Sequence, residues 1–208
     1  MSEGETPDTE WVTAMATIEP ASSGRTVLPG NPPYTVDDLL KFPDDGNRYE
    51  LFNGSLLVSP APTPPHQRII YRLQRILDDA MPSELEPLST INLRVTDKNF
   101  YIPDLVVVPE DSVESVGLMF SPRDILLAVE VGSPSTTWQD KSLKTIAYAS
   151  AGIPHYWRIE TDEGPALYVY QLSGDNYESP TAYKAGTLAE LTAPFPVSFD
   201  PADLLLRR

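Results

Sequence analysis

Two acidic residues stand in apolar stretches where an ionised carboxylate is costly. Asp104 begins the run Ile102-Pro103-Asp104-Leu105-Val106-Val107-Val108, and Glu130 lies near the end of Ile125-Leu126-Leu127-Ala128-Val129-Glu130-Val131. A charge in a dry core has to be paired or bound to a metal. Two neighbouring core strands that each bring an acid to one place would make a divalent-cation site. Phosphodiester hydrolysis needs a nucleophilic water, neutralisation of phosphoryl charge and help for the leaving group, and Mg²⁺ or Mn²⁺ held by carboxylates supplies all three. Mg²⁺ keeps several waters, so two or three protein ligands suffice. Asp104 and Glu130 are the expected ligands; the Val131 backbone carbonyl could be another, and Glu50 could contribute from an earlier strand. Lys144 and Lys141 are candidates to stabilise negative charge or orient the attacking water, and Tyr148 falls one turn beyond Lys144. The same acids could instead cap helices or pair with a lysine.

The elements that must position these groups follow from local pattern. Both apolar runs are rich in β-branched residues and long enough for strands buried on both faces. Arg48 to Ser59 reads as a hairpin across Asn53-Gly54, because both turn residues tolerate positive φ, and it places Glu50 in its first strand. His66 to about Ala80 has helical spacing, with Ile69, Ile70, Leu73, Ile76 and Leu77 on one side and Arg68, Arg72 and Arg75 on the other. His66 stands at that helix's start, where it could be a cap or a catalytic group. Trp138 to Ser150 predicts a second helix, with Leu143, Ile146 and Ala147 facing inward, ended by Gly152 and Pro154. A short helix with a Thr35–Asp38 capping box precedes the hairpin. Strands are expected at residues 155–159, 166–172 and 177–183, and a short helix after Asp200-Pro201.

The chain has 208 residues, no cysteine, two histidines and a formal net charge of −15. Disulfides and thiolate-bound metals are therefore excluded, and an imidazole-rich zinc site is disfavoured. The acidity weighs against wide electrostatic contact with duplex nucleic acid, although a bound cation can create local positive charge on an acidic protein. Residues 1–33 are rich in Ser, Thr, Pro and Gly and read as a disordered acidic leader; residues 34–208 read as one domain. No apolar run reaches the roughly 18 residues needed to span a bilayer, and no secretion signal is legible, so the expected setting is the cytoplasm, away from membranes.

Several blocks, RYELFNGSLLVSPAP, the His66 helix, YIPDLVVV, LLAVEVGSPST and DKSLKTIAYASAGIPHYW, occur in an order that resembles the bacterial Uma-type family of restriction-endonuclease-like proteins. That family is placed in the PD-(D/E)XK nuclease superfamily. The resemblance implies an α/β (α+β) fold, a mixed sheet flanked by helices with an αβββαβ core and additional hairpins. It implies Asp104 and Glu130 as metal ligands and Lys144 as the catalytic lysine. The superfamily lysine two positions after the acid is Gly132 here, and Lys144, from the following helix, matches the place where family members carry theirs. Glu50 matches the acid of the family's YEL segment, and His66 the start of its first long helix. The function expected is a Mg²⁺-dependent endonuclease acting on DNA, with a homodimer suited to cutting two strands. The alternative is a catalytically inactive, oligomeric binding or regulatory module on the same fold. The tyrosines of the second hairpin, Tyr168, Tyr170, Tyr177 and Tyr183, serve either a dimer contact or sheet packing.

Overall fold

The computed structural model describes residues 28–59, 61–132 and 138–205, without the side chains of residues 138–141. The first 27 residues of the expected leader and the Ser133–Thr136 loop lie outside the described residues.

The chain enters through α1 (Val36–Leu39), whose N-terminus is closed by the Thr35–Asp38 capping box expected from sequence. The hairpin of β1 (Arg48–Phe52) and β2 (Ser55–Ser59) follows, in register Phe52↔Ser55 across the turn. Asn53 and Gly54 both have positive φ, 51° and 79°. A side chain at position 54 is also excluded by space, since a Cβ there would lie 2.7 Å from Pro33 Cβ. Next comes α2 (Pro64–Ala80), which begins two residues earlier than its apolar spacing indicates because Pro64 and Pro65 suit the first helical turn, where no amide partner is needed.

Then β3 (Leu85–Ser89), β4 (Leu93–Thr96), β5 (Asn99–Tyr101) and β6 (Leu105–Pro109) lead through α3 (Glu110–Ser115) and a 3-10 turn to β7 (Leu127–Val131). The helix α4 (Trp138–Ser150) crosses over to β8 (His155–Glu160), and β9 (Ala166–Ser173), β10 (Asn176–Tyr177) and β11 (Thr181–Lys184) complete the strand run. The C-terminal part forms β12 (Ala189–Leu191), β13 (Val197–Phe199) and a 3-10 turn capped by Asp200. The β12–β13 pair was not legible in the sequence, because three-residue strands are too short to show alternation.

The strands make a four-stranded sheet, β2-β1-β5-β4, and a larger mixed sheet, β10-β9-β8-β7-β6-β3, with β11 also on β9. Among the paired strands of the described residues only β7 and β8 run parallel, as the α4 crossover requires. The chain passes from the small sheet to the large one through Ile102-Pro103-Asp104. One face of the large sheet packs Leu105, Val107, Leu127, Val129, Val131, Trp157 and Ile159 against Ile69, Ile70, Leu73 and Leu77 of α2. The other packs Val106, Val108, Ala128, Tyr156 and Tyr170 against Tyr148 and Ile153. Both faces of β6 and β7 are thus covered, as their unbroken apolar runs require.

Two expectations need correction. Leu143 and Ile146 do not face inward: they are 39% and 64% exposed, and α4 turns Lys144 and Tyr148 toward the sheet instead. The hairpin tyrosines are not a single exposed set. Tyr170 is buried, and Tyr156 stacks on Tyr170 and on Tyr177 at centroid separations of 5.2 and 5.7 Å.

Candidate active site

Asp104 sits one residue before β6, and Glu130 is the fourth residue of the adjacent β7. Leu105 pairs with Val129, so the two acids flank the same end of this strand pair. The Val131 amide donates to Asp104 Oδ2 at 2.9 Å, so the carboxylate continues the ladder where β6 has ended. Asp104 Oδ1 lies 3.1 Å from His66 Nε2 and accepts from the Arg48 guanidinium at 3.3 Å. The acid is only 5% exposed. Burial alone would raise its pKa; the His66 hydrogen bond and charge, the Val131 amide and the Lys144 cation together hold it below the usual carboxylate range.

Glu50, also 5% exposed, accepts from the Ile102 amide at 2.7 Å and from Lys144 Nζ through the same oxygen. Lys144 Nζ reaches Glu130 Oε1 at 3.0 Å, and the Tyr148 hydroxyl donates to that oxygen too. The ammonium is ringed by Phe52, Tyr101 and Tyr148, whose centroids lie 5.7–5.9 Å away. Burial works to lower the Lys144 pKa, but Glu130 and Glu50 outweigh it and raise it. Glu130 is pushed up to about 7, first by burial and then by the charges of Asp104 and Glu50, against the pull of Lys144 and Tyr148. Burial pushes Tyr101 up to about 12.

Of the residues singled out in the sequence, Glu50, Lys144, Glu130 and Tyr148 thus form one hydrogen-bonded network and Asp104 and His66 another, the two adjoining where Asp104 meets the Val131 amide. Lys141 is on the first turn of α4, but its side chain lies outside the described residues. The reading missed Arg48, the first residue of β1, and the aromatic ring around Lys144. An arginine at a strand end has no local signature; only the tertiary approach of β1 to Asp104 reveals it.

Among the described residues, no three of His, Asp and Glu stand close enough to enclose a cation alone. The donors present suit a hard cation that keeps most of its water. Lys144 and Tyr148 both bond Glu130 through Oε1, so neither of these two bonds occupies Oε2. In an extended strand a residue's amide and carbonyl point to the same edge, so the Val131 carbonyl faces the side on which its amide meets Asp104.

Residues 36–205 match the model of the Uma2 family, described as a putative restriction endonuclease. No curated protein sequence matches the chain. Among solved structures, a putative nuclease of the DUF820 family from Anabaena variabilis superposes with a TM-score of 0.67 at 18% identity, covering 82% of this chain and 96% of that one. At that identity the likeness shows the fold, a restriction-endonuclease-like mixed sheet flanked by helices.

Proposed function

Because this chain belongs to the Uma2 family, a nuclease family by description and by fold, we propose that it is a divalent-metal-dependent endonuclease that hydrolyses phosphodiester bonds in DNA. The observation that carries this reading is the joint placement of Asp104 and Glu130 at one end of the β6–β7 pair, with Lys144 bonded to Glu130. Asp104, Glu130 and the Val131 carbonyl would hold the cation, which supplies charge neutralisation at the phosphate and a more acidic water.

The chain's own groups divide the remaining work. Asp104 is fixed by His66, Arg48 and the Val131 amide, so its carboxylate cannot swing away. Tyr148 orients Glu130 through Oε1. Lys144 stays protonated between two acids, so it acts as a positive charge and donor toward attacking water or phosphoryl oxygen, not as a base. Glu50 anchors Lys144 and is itself anchored by the Ile102 amide. Cutting both strands of a duplex calls for two such sites, so the reading includes a homodimer.

A second reading is a metal-free binding module. It is favoured by the Lys144 ammonium already neutralising Glu50 and Glu130, a role a cation would otherwise fill. Calorimetric Mn²⁺ and Mg²⁺ titration, alongside cleavage of plasmid DNA, separates the two. The nuclease reading expects saturable binding and cleavage in the wild type, both lost in Asp104→Asn and Glu130→Gln. Cleavage by Asp104→Asn at the wild-type rate would end it.

A further inference from the structure

The face of the sheet that carries Glu130 continues sideways into a recess. Register sets Glu130 beside Arg158, Arg158 beside Tyr168, and Tyr168 beside Ala182. Paired residues project on the same face, so these side chains form a row leading away from the carboxylates. The next row outward holds Glu160, Ala166 and Lys184. With strands about 4.8 Å apart and about 3.4 Å per residue, Tyr168 stands roughly 10 Å from Glu130 across the sheet and Lys184, one row further along, roughly 16 Å.

The row is organised, not merely adjacent. The Arg158 guanidinium lies 5.0 Å from the Tyr168 ring centroid and 5.6 Å from that of Tyr170, and its Nε is 3.0 Å from Glu160 Oε1. An arginine so held keeps its plane against an aromatic ring. Beyond it opens a cleft of about 430 Å³ whose lining includes Tyr168, Glu160, Asp162, Glu163, Pro165 and Lys184. Tyr168 is half-buried, whereas Glu163 and Lys184 are exposed at the rim.

We propose that this cleft binds one unpaired nucleobase of the nucleic acid that is cut at Asp104 and Glu130, an inference that rests on the nuclease reading above. The size suits a single small planar ligand. Tyr168, already stacked with Arg158, offers an aromatic surface of the kind on which any base stacks. The Glu163 carboxylate repels phosphate but accepts from exocyclic amino groups, so the cleft takes the base and not the backbone. Cytosine and adenine carry such an amino group and thymine does not. Lys184, at the cleft's other side, suits the phosphate flanking the bound base. Substrate would therefore need a single-stranded or frayed stretch beside the cut.

The test is fluorescence-anisotropy binding of short labelled oligo-dC, oligo-dT and a blunt duplex at low salt, with Ca²⁺ present in place of Mg²⁺, using the full chain. The expected result is tighter binding of oligo-dC than of oligo-dT. Tyr168→Leu should weaken single-strand binding by about 10- to 100-fold, the range of one stacked base, and leave duplex binding unchanged. Tyr168→Trp should retain it. Lys184→Glu, at an exposed position that cannot unfold the core, should also weaken single strands more than duplex. If duplex binds but neither Tyr168→Leu nor Lys184→Glu changes single-strand affinity, or both weaken strand and duplex equally, the subsite is overturned and the nuclease reading stands. If the wild type binds neither strand nor duplex, the nuclease reading falls and the subsite with it.

Discussion

Lys144 is paired with Glu50 across 94 residues of chain, and this contact ties α4 to the small sheet. Glu130 shares the same ammonium. Removing the cation would leave the buried Glu50 and the largely buried Glu130 facing each other. Lys144→Met should therefore destabilise the fold by about 3–5 kcal/mol, as expected for a buried pair that loses one partner. Chemical denaturation measures this directly. Adding Glu50→Gln should recover part of the loss, with a coupling of about 0.5–3 kcal/mol. Strict additivity of the two changes would contradict the pairing.

Glu130, pushed up to about 7, gives a pH dependence of definite sign. The folded chain keeps a proton there that the unfolded chain releases near 4.5, so this group's contribution makes stability fall as pH rises from about 4.5 to about 7. Glu130→Gln should be more stable than wild type by roughly 1–3 kcal/mol at pH 8 and equal to it near pH 4.5. Metal needs the ionised form, so wild-type Mn²⁺ affinity should drop about tenfold for each pH unit below about 7. Thermal melts and calorimetry across that range check both.

Asp104 gives the opposite sign. Its pKa is depressed, so its contribution is present above the ordinary aspartate range and is lost as pH falls through the folded-state value. His66→Ala removes one of its partners. The variant should lose roughly 1–2 kcal/mol at neutral pH, converging with wild type in strong acid. A constant difference at all pH values would show that His66 acts by packing alone.

Tyr148→Phe deletes only the hydroxyl that donates to Glu130. Loss of that bond should raise the Glu130 pKa further and move the acidic limb of the cleavage pH profile upward, at a stability cost of about 1 kcal/mol. An unchanged profile would exclude Tyr148 from orienting Glu130.

Ile146 is 64% exposed, so Ile146→Lys should change stability by no more than about 0.5 kcal/mol. A cost of several kcal/mol would put this side chain in the core, where its spacing alone would place it.

The outcome at Ile146 shows where sequence legibility ends. Asp104 and Glu130 were readable because an acid in a strand buried on both faces demands an explanation. The hairpin was readable because Asn53-Gly54 encodes a local backbone conformation. The facing of α4 was not. Leu143, Ile146 and Ala147 mark one helical stripe, yet Lys144 and Tyr148 turn inward because two buried carboxylates supply what a lysine needs, and those acids come from β1 and β7. Arg48 and the ring of Phe52, Tyr101 and Tyr148 escaped for the same reason: their partners are distant in sequence, and no local periodicity carries that information. His66 was legible only as a cap or a catalytic group, whereas the fold sets it on Asp104.

The Asp104 carboxylate that accepts from the Val131 amide stands in for the backbone rung that β6 no longer provides. Its loss would cost the sheet as well as the chemistry. A descendant that had abandoned cleavage would still be under selection to keep an acid there and to keep Lys144 beside Glu50, while Glu130 would be free to drift. Within such a lineage, retention of aspartate at 104 or of lysine at 144 would say little about activity, and the survival of Glu130 would be the informative mark.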